Sequence, residues 1–150
     1  MKIQIIEAKL EHLSNIVPLF NLYRDFYEVK PNPQKAEEFL KTRLENKESK
    51  IFLAKDENSY VGFTQLYPSF SSLSMKPVWI LNDLYVLETH RKQGVGKLLL
   101  DAAKQFAKET GSKGLTLTTA IQNTTAQSLY EKYGFIRNDH FYEYFLFFNE

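Results

Sequence analysis

Two glycines one residue apart close the stretch Arg91-Lys92-Gln93-Gly94-Val95-Gly96. The stretch follows an apolar run, Val78 to Leu87, and precedes an amphipathic pattern running from Lys97 to Thr110. Glycine lets a backbone turn tightly and approach a ligand closely, and the free N–H groups at a helix start, aided by the helix dipole, favour anionic oxygens. This layout predicts a phosphate cradle, to which Lys92 and Lys97 could add charge. Gly96-Lys97 is followed by Leu98 rather than Ser or Thr, which argues against a nucleotide-binding P-loop. A second candidate interrupts the apolar run, where Asn82 and Asp83 stand between Leu81 and Leu84. An acid inside a buried run carries a desolvation cost that folding alone rarely retains, so Asp83 reads as a functional carboxylate. Its other reading is a solvated strand end or a structural hydrogen-bond partner. A third candidate, Tyr130, lies on the apolar stripe of a short helix, a place where packing by itself accounts for most aromatic residues.

The elements that must position these residues follow from periodicity. Ile3, Ile5 and Ile6 predict a short strand ending near Ala8. Leu13, Ile16, Val17, Phe20 and Tyr23 then fall on one helical face, with Pro18 implying either a late start near Asn15 or a kink. Asn32-Pro33 is an N-cap followed by proline at the first helical position, leading into Ala36, Phe39, Leu40 and Leu44. Ile51 to Lys55 and Tyr60 to Tyr67 read as a hairpin joined by Asp56-Glu57-Asn58-Ser59. Ser69 to Lys76 is a serine-rich loop, either a mobile substrate loop or an ordinary connection. Val78 to Val86 is the most apolar strand, expected to be buried on both faces. In the helix after the glycines, Leu99, Ala102, Ala103, Phe106 and Ala107 form the buried stripe. Leu115 to Ala120 is a further strand, Asn123 caps a short helix with Gly134 at its C-terminal cap, and Phe141 to Phe148 is a last, strongly aromatic strand. The order β-α-α-β-β-β-α-β-α-β, spanning residues 1–150 as a single domain, predicts an α/β fold with a mixed, mostly antiparallel central sheet. It does not fit a dinucleotide-binding repeat.

Composition narrows the function. With 150 residues and 43% hydrophobic side chains the chain can bury a core. A formal net charge of +1 argues against a general nucleic-acid binder. Cysteine is absent, which excludes disulfides, thiolate catalysis and cysteine-ligated zinc. His12, His90 and His140 show no metal-ligand spacing, so no metal is expected. No segment has the length of a membrane span and the N-terminus lacks a signal-like apolar run, which predicts a cytoplasmic protein without a membrane partner.

The motif Arg91-x-x-Gly94-x-Gly96 resembles the pyrophosphate loop of the GNAT superfamily of N-acetyltransferases, at that family's place between the fourth strand and third helix. About thirty residues on, Asn123-x-x-Ala126-x-x-Leu129-Tyr130-x-x-x-Gly134-Phe135 is similar to a second segment of the same family. Leu81-Asn82-Asp83-Leu84-Tyr85-Val86 resembles the diamine and thialysine acetyltransferase-like and histone acetyltransferase-like branch, with Asn82 standing where that branch has the first of two acids. The resemblance implies a GNAT-like fold and acetyl-CoA as co-substrate. Lys92, Gln93, Gly94, Val95, Gly96 and Lys97 would cradle its pyrophosphate, Arg91 would brace the loop, and backbone groups of Leu84, Tyr85 and Val86 would pair with the pantetheine arm. Asn123 would cap its helix and touch the same arm.

Acetyl transfer sets further requirements. A lysine-like amine with a pKa of about 10.4 is only about 0.1% neutral near pH 7.4, so a carboxylate must draw off its proton. Asp83 is the candidate, directly or through water. Negative charge gathering on the thioester oxygen asks for a backbone N–H, sought near Leu84 to Val86. The departing thiolate benefits from a proton donor, and Tyr130 occupies the family position for that role. Tyr23, Arg24, Asp25, Phe26 and Tyr27 end the first helix where the family builds its acceptor wall, with Tyr23, Tyr27, Asn82 and Asp83 as substrate-binding candidates. Aromatic packing at a helix end accounts for them equally well. The expected acceptor is a small polyamine-like amine, or a lysine or N-terminal amine of a peptide. A non-catalytic acyl-CoA-binding sensor is the alternative, since it would keep the glycines without needing Asp83 or Tyr130. The surplus of aromatic residues in Phe141 to Phe148 predicts an apolar edge covered in a homodimer.

Overall fold

The computed structural model describes residues 2–149, which fall into two compact units, one ending at Thr118 and one beginning at Thr119. The first unit holds β1 (Ile3–Glu7), α1 (Leu13–Phe26), α2 (Pro33–Glu45), β2 (Lys50–Asp56), β3 (Ser59–Ser71), β4 (Lys76–Val86), α3 (Val95–Glu109) and β5 (Leu115–Thr116). The second holds α4 (Thr124–Tyr133). The strands of the first unit form a five-stranded sheet in the order β1-β2-β3-β4-β5, antiparallel except for the parallel β4–β5 pair. Observed order follows the expected one through α4.

Local chemistry explains most of the boundaries. Asn32 Oδ1 accepts the Lys35 N–H at 3.1 Å and Pro33 occupies the first turn of α2, where no N–H is needed. α1 starts at Leu13 and continues through Pro18, so the late start near Asn15 does not occur. Ile16 and Leu19, both buried, hold that segment against the sheet and offset the proline's missing bond. Ile16, Leu19, Leu40, Ile51, Leu53 and Phe63 form a core between α1, α2 and the sheet. Val95 and Leu99 of α3 pack with Ala54 and Val61 in a second core. The strand covered on both faces is therefore β3, buried without a break from Val61 to Leu66. In β4 only Leu81 and Asp83 are buried, which corrects the expectation drawn from its apolar run.

Three further expectations are corrected. Ser69 to Lys76 is mostly strand, because β3 and β4 extend as a hairpin to the pair Ser71–Lys76 and leave only the turn 72–75. β5 is two residues long rather than six. Phe141 to Phe148 forms no strand, and its aromatic side chains are exposed, so the sheet edge behind the homodimer expectation is not built. β-Propensity alone does not make a strand where no ladder partner supplies the hydrogen bonds.

Candidate active site

The irregularity that creates the site is a bulge in β4. Gln65 pairs with Asp83 and Leu66 with Leu81, so Asn82 is an extra residue with no counterpart on β3. A bulge re-aims the side chains beside it. Here Leu81 and Asp83 both turn inward while Asn82 stays exposed. Asp83 is 2% exposed. Gln65 Nε2 donates to its Oδ2 at 2.5 Å and Asn82 Nδ2 to its Oδ1 at 2.9 Å. Tyr23 of α1 closes in beside them, its Oη donating to the Asn82 carbonyl at 3.2 Å. Below the carboxyl, Thr64 Oγ1 donates to the Asp83 carbonyl at 2.8 Å.

Burial pushes the Asp83 carboxyl above the ordinary carboxylate range, against the bonds from Gln65, Asn82 and Tyr23 that favour its charged form. Burial and the Asp83 charge together push the Tyr67 hydroxyl up as well. A carboxylate with raised proton affinity and fixed donors is equipped to take a proton near neutral pH. Around it the rings of Phe20, Tyr23 and Phe63 pack within 6.0 to 6.4 Å of one another, and Tyr27 meets Tyr23 edge-on at 5.2 Å. Tyr27 and Phe26 are half exposed, so the end of α1 forms an aromatic surface leading from solvent toward Tyr23.

The glycine loop is built differently. Gly94, with φ of 85°, is the N-cap of α3, and no described side chain caps that helix. A Cβ at Gly94 would meet nothing within 4 Å, so the left-handed turn, and not crowding, requires glycine there. Lys92 also takes a left-handed φ of 60°, unusual for a side-chain-bearing residue. Gly96 lies within the first turn of α3 without a positive φ, which narrows the turn requirement to one of the two glycines. The first N–H groups of α3, those of Val95, Gly96 and Lys97, precede the first intrahelical bond, from Leu98 N to Gly94 O, and such free groups at a helix start favour anions. Lys97 Nζ is 3.3 Å from Asp101 Oδ2, which offsets part of its charge. Side chains fix the loop from behind. Arg91 Nε donates to the Val86 carbonyl at 2.9 Å while its guanidinium lies 5.4 Å from the Tyr85 ring, Gln93 Nε2 donates to Thr89 O at 3.3 Å, and His90 Nε2 is 2.9 Å from Asp56 Oδ2.

Beyond Ile80, β4 has no ladder partner on its β5 side among the described residues, since that pairing covers only Trp79–Leu115 and Ile80–Thr116. Leu84, Tyr85 and Val86 therefore run with one edge paired to β3 and the other open to an extended ligand. The Val86 carbonyl, taken by Arg91, is the exception. In the second unit, Asn123 Oδ1 accepts the Ala126 N–H at 3.2 Å as the cap of α4. Tyr130 packs edge-on against Phe135 with centroids 5.7 Å apart, after Gly134 closes the helix at φ of 121°.

An uncapped helix start behind a left-handed glycine and a strand with an open edge are matched by the sequence relationships. The acetyltransferase (GNAT) family model matches residues 16–135. The chain belongs to the GNAT acetyltransferase family. It is 49% identical to an uncharacterised N-acetyltransferase, YhfO, of Bacillus subtilis over 95% of each chain. It is 35% identical to a probable acetyltransferase of Haemophilus influenzae over 90% of this chain and 91% of that one. A crystal structure of a probable acetyltransferase superposes with a TM-score of 0.92 at 46% identity, covering 98% of this chain and 99% of that one. As a GNAT enzyme the protein is an acetyl-CoA-dependent N-acetyltransferase with the mixed five-stranded sheet and four helices of that fold.

In this GNAT chain, Tyr23 bonds the Asn82 carbonyl and Asn82 bonds the Asp83 carboxyl, with Tyr27 edge-on to Tyr23. Arg91 to Lys97 form one loop and helix start. Sequence reasoning missed Gln65 and Tyr67. Continued evenly from the Ser71–Lys76 end, the hairpin would set Gln65 opposite Asn82, and only the bulge moves it to Asp83. Among the described residues no cluster of three or more acidic or histidine side chains could hold a metal, and no helix is long and apolar enough to cross a membrane.

Proposed function

We propose that the enzyme transfers the acetyl group of acetyl-CoA directly to a primary amine, with Asp83 as the base that neutralises the acceptor. The observation that carries this reading is the buried Asp83 carboxylate, held by Gln65 and Asn82 at the end of an aromatic surface. Acetyl-CoA supplies the activated thioester. The open edge of Leu84 to Val86 suits its pantetheine amides, and the N–H groups from Lys92 to Lys97 suit its pyrophosphate. The side chains of Arg91 and Gln93 set the loop's shape. Cysteine is absent, so no acyl-cysteine intermediate forms. Tyr130 is assigned as proton donor to the departing thiolate, and Asn123 as a contact to the pantetheine arm, both on the Asn123–Phe135 motif.

The acceptor surface offers one buried carboxylate and several aromatic faces, which suits a single ammonium held by cation–π attraction, on a small amine or on a lysine or N-terminal residue of a peptide. Tyr23 and Tyr27 supply those faces. The affinity to the diamine and thialysine-type branch rests on the β4 segment, and Asn82 in place of an acid favours a monoamine over a diamine. A free-thiol release assay with acetyl-CoA across polyamines, amino acids and lysine peptides tests the reading: turnover with monoamines is expected, and none with any amine would overturn it. For assembly we propose a homodimer whose second copy covers the exposed Phe141, Phe145, Phe147 and Phe148. A sedimentation mass equal to the monomer would rule that out.

A further inference from the structure

The strand covered on both faces carries one side chain that packing does not call for. Gln65 of β3 is fully buried, in a run that otherwise holds Val61, Gly62, Phe63, Thr64 and Leu66. Its Nε2 donates to Asp83 Oδ2 at 2.5 Å, while Oε1 of the same amide is buried with no hydrogen-bond partner among the described residues. A buried acceptor without a donor is costly, and a methionine of similar volume would fill the place without that cost. Stability therefore does not account for the amide, and the acid opposite it does. The bulge at Asn82 sets Asp83 across from Gln65 and divides the carboxyl between two donors of different standing. Oδ2 faces the wholly buried Gln65, and Oδ1 faces the exposed Asn82, whose Nδ2 donates at 2.9 Å.

We propose that Gln65 is the positioning residue of Asp83, pinning Oδ2 inside the protein so that Oδ1, on the Asn82 side, is the oxygen that takes the acceptor's proton. The proposal rests on the amine-acetylation reading above, in which Asp83 is the base. A hydrogen arriving on Oδ2 would meet the Nε2 hydrogen of Gln65 head-on, because the amide nitrogen donates and does not accept. One arriving on Oδ1 has only the side chain of Asn82 to displace, and an exposed side chain can turn aside where a buried one cannot. In the step itself an N–H bond of R–NH3⁺ breaks and an O–H bond forms at Oδ1, directly or through one water. Ammonium and carboxylate become R–NH2 and carboxylic acid, and Oδ2 accepts from Gln65 before and after.

The same bond acts on when the base is ready. Burial pushes the Asp83 carboxyl up, and the hydrogen bond from Gln65 pulls it down, so the amide extends toward lower pH the range in which the base is ionised. The titratable groups around Asp83 are Tyr23 from α1 and Tyr67 from β3, with Arg43 of α2 acting on Tyr67 in turn. Burial keeps Tyr67 protonated through the working range.

Gln65→Met keeps the volume and removes the donor. The first readout is the Asp83 carboxyl carbon followed by carbon-13 NMR in the free enzyme, recognised by its loss in Asp83→Asn. The second is the acid limb of kcat/KM for the best acceptor of the thiol-release panel, both from pH 5 to 9. In the variant the Asp83 titration should rise by about one to two pH units, the worth of a hydrogen bond to a charged group. The acid limb should rise with it, leaving the variant about tenfold to 100-fold slower below the limb and equal to wild type above it. The KM for acetyl-CoA should be unchanged. In the wild type, where folding of a variant is not at issue, the Gln65 side-chain N–H resonance should titrate together with the Asp83 carboxyl. An amide resonance that ignores that titration, an Asp83 titration unmoved in Gln65→Met, or a kinetic defect of the same size at every pH would reduce Gln65 to packing and leave acetyl transfer through Asp83 standing. A carboxyl titration that moves without the acid limb, or no thiol release by the wild type with any acceptor, would overturn the reading of Asp83 as base and the part of Gln65 with it.

Discussion

Two departures from regular backbone organise this enzyme, and they work in opposite ways. At the start of α3, a left-handed glycine leaves the first backbone N–H groups uncapped, where the proposed reading seats an anion, and the side chains around it hold the loop. In β4, one extra residue turns a carboxylate into the protein and gives it two side-chain donors, Gln65 and Asn82. The first device binds through groups that every residue possesses, so it tolerates change in side chains but not in dihedral angles. The second depends on side-chain identity and on register. In the proposed reading, holding the co-substrate is thereby kept separate from handling the acceptor's proton.

The comparison breaks most visibly at Asp83. Asp83→Asn should lower kcat by about 100-fold or more at pH 7, with little change in the KM for acetyl-CoA. The same change should raise thermal stability at neutral pH. Because burial raises the folded-state pKa of Asp83 above its unfolded value, its contribution is favourable below the unfolded pKa and is lost as pH rises through the folded one. The gain in melting temperature should therefore shrink as the pH falls toward the ordinary carboxylate range. An unchanged kcat would remove Asp83 from the chemistry. Next in size, Tyr130→Phe should reduce kcat by about tenfold to 100-fold with the acetyl-CoA KM held, and equal turnover would return Tyr130 to a packing role.

At the other device the expected signature is reversed. Gly94→Ala meets no steric obstacle, so its effect is that of the left-handed dihedral alone, about 1–2 kcal/mol. Raised KM for acetyl-CoA at nearly constant kcat is the expected result, and a pure kcat loss would contradict a binding loop. Smallest of all, Lys92→Gly relieves the strained φ at 60° and should shift stability by less than about 1 kcal/mol while raising the acetyl-CoA KM a few-fold. If that KM shows no dependence on ionic strength in the wild type, Lys92 has no part in holding the phosphates.

The same contrast governs what the sequence reveals. The α3 loop was legible because a left-handed turn leaves glycine behind, and α2 because its cap is written as Asn32-Pro33. Helical stripes such as Leu99 and Ala103 showed through their spacing. Asp83 was visible as an acid in an apolar run with Asn82 beside it, yet its partner Gln65 was not. Gln65 sits in an unremarkable strand, and only a bulge that no residue type announces aligns it with Asp83. The errors share a cause. Phe141 to Phe148 has the composition of a strand, and Val78 to Val86 that of a doubly covered one, but strands are completed by partners distant in sequence. Ser69 to Lys76 failed in reverse, its serines concealing a hairpin fixed by pairing.

Gly62 of β3 lies opposite Val86, and a methyl group there would come within 2.9 Å of the Tyr85 carbonyl and 3.4 Å of Val86 Cγ2. Backbone cannot yield as a flexible side chain can, so even alanine at position 62 would push β4 away from β3, and β4 is the strand that carries Asp83. For anyone diversifying this enzyme toward new acceptors, the half-exposed Phe26 and Tyr27 are the permissive positions, whereas position 62 is a spacer whose smallest enlargement would detune the site from outside it.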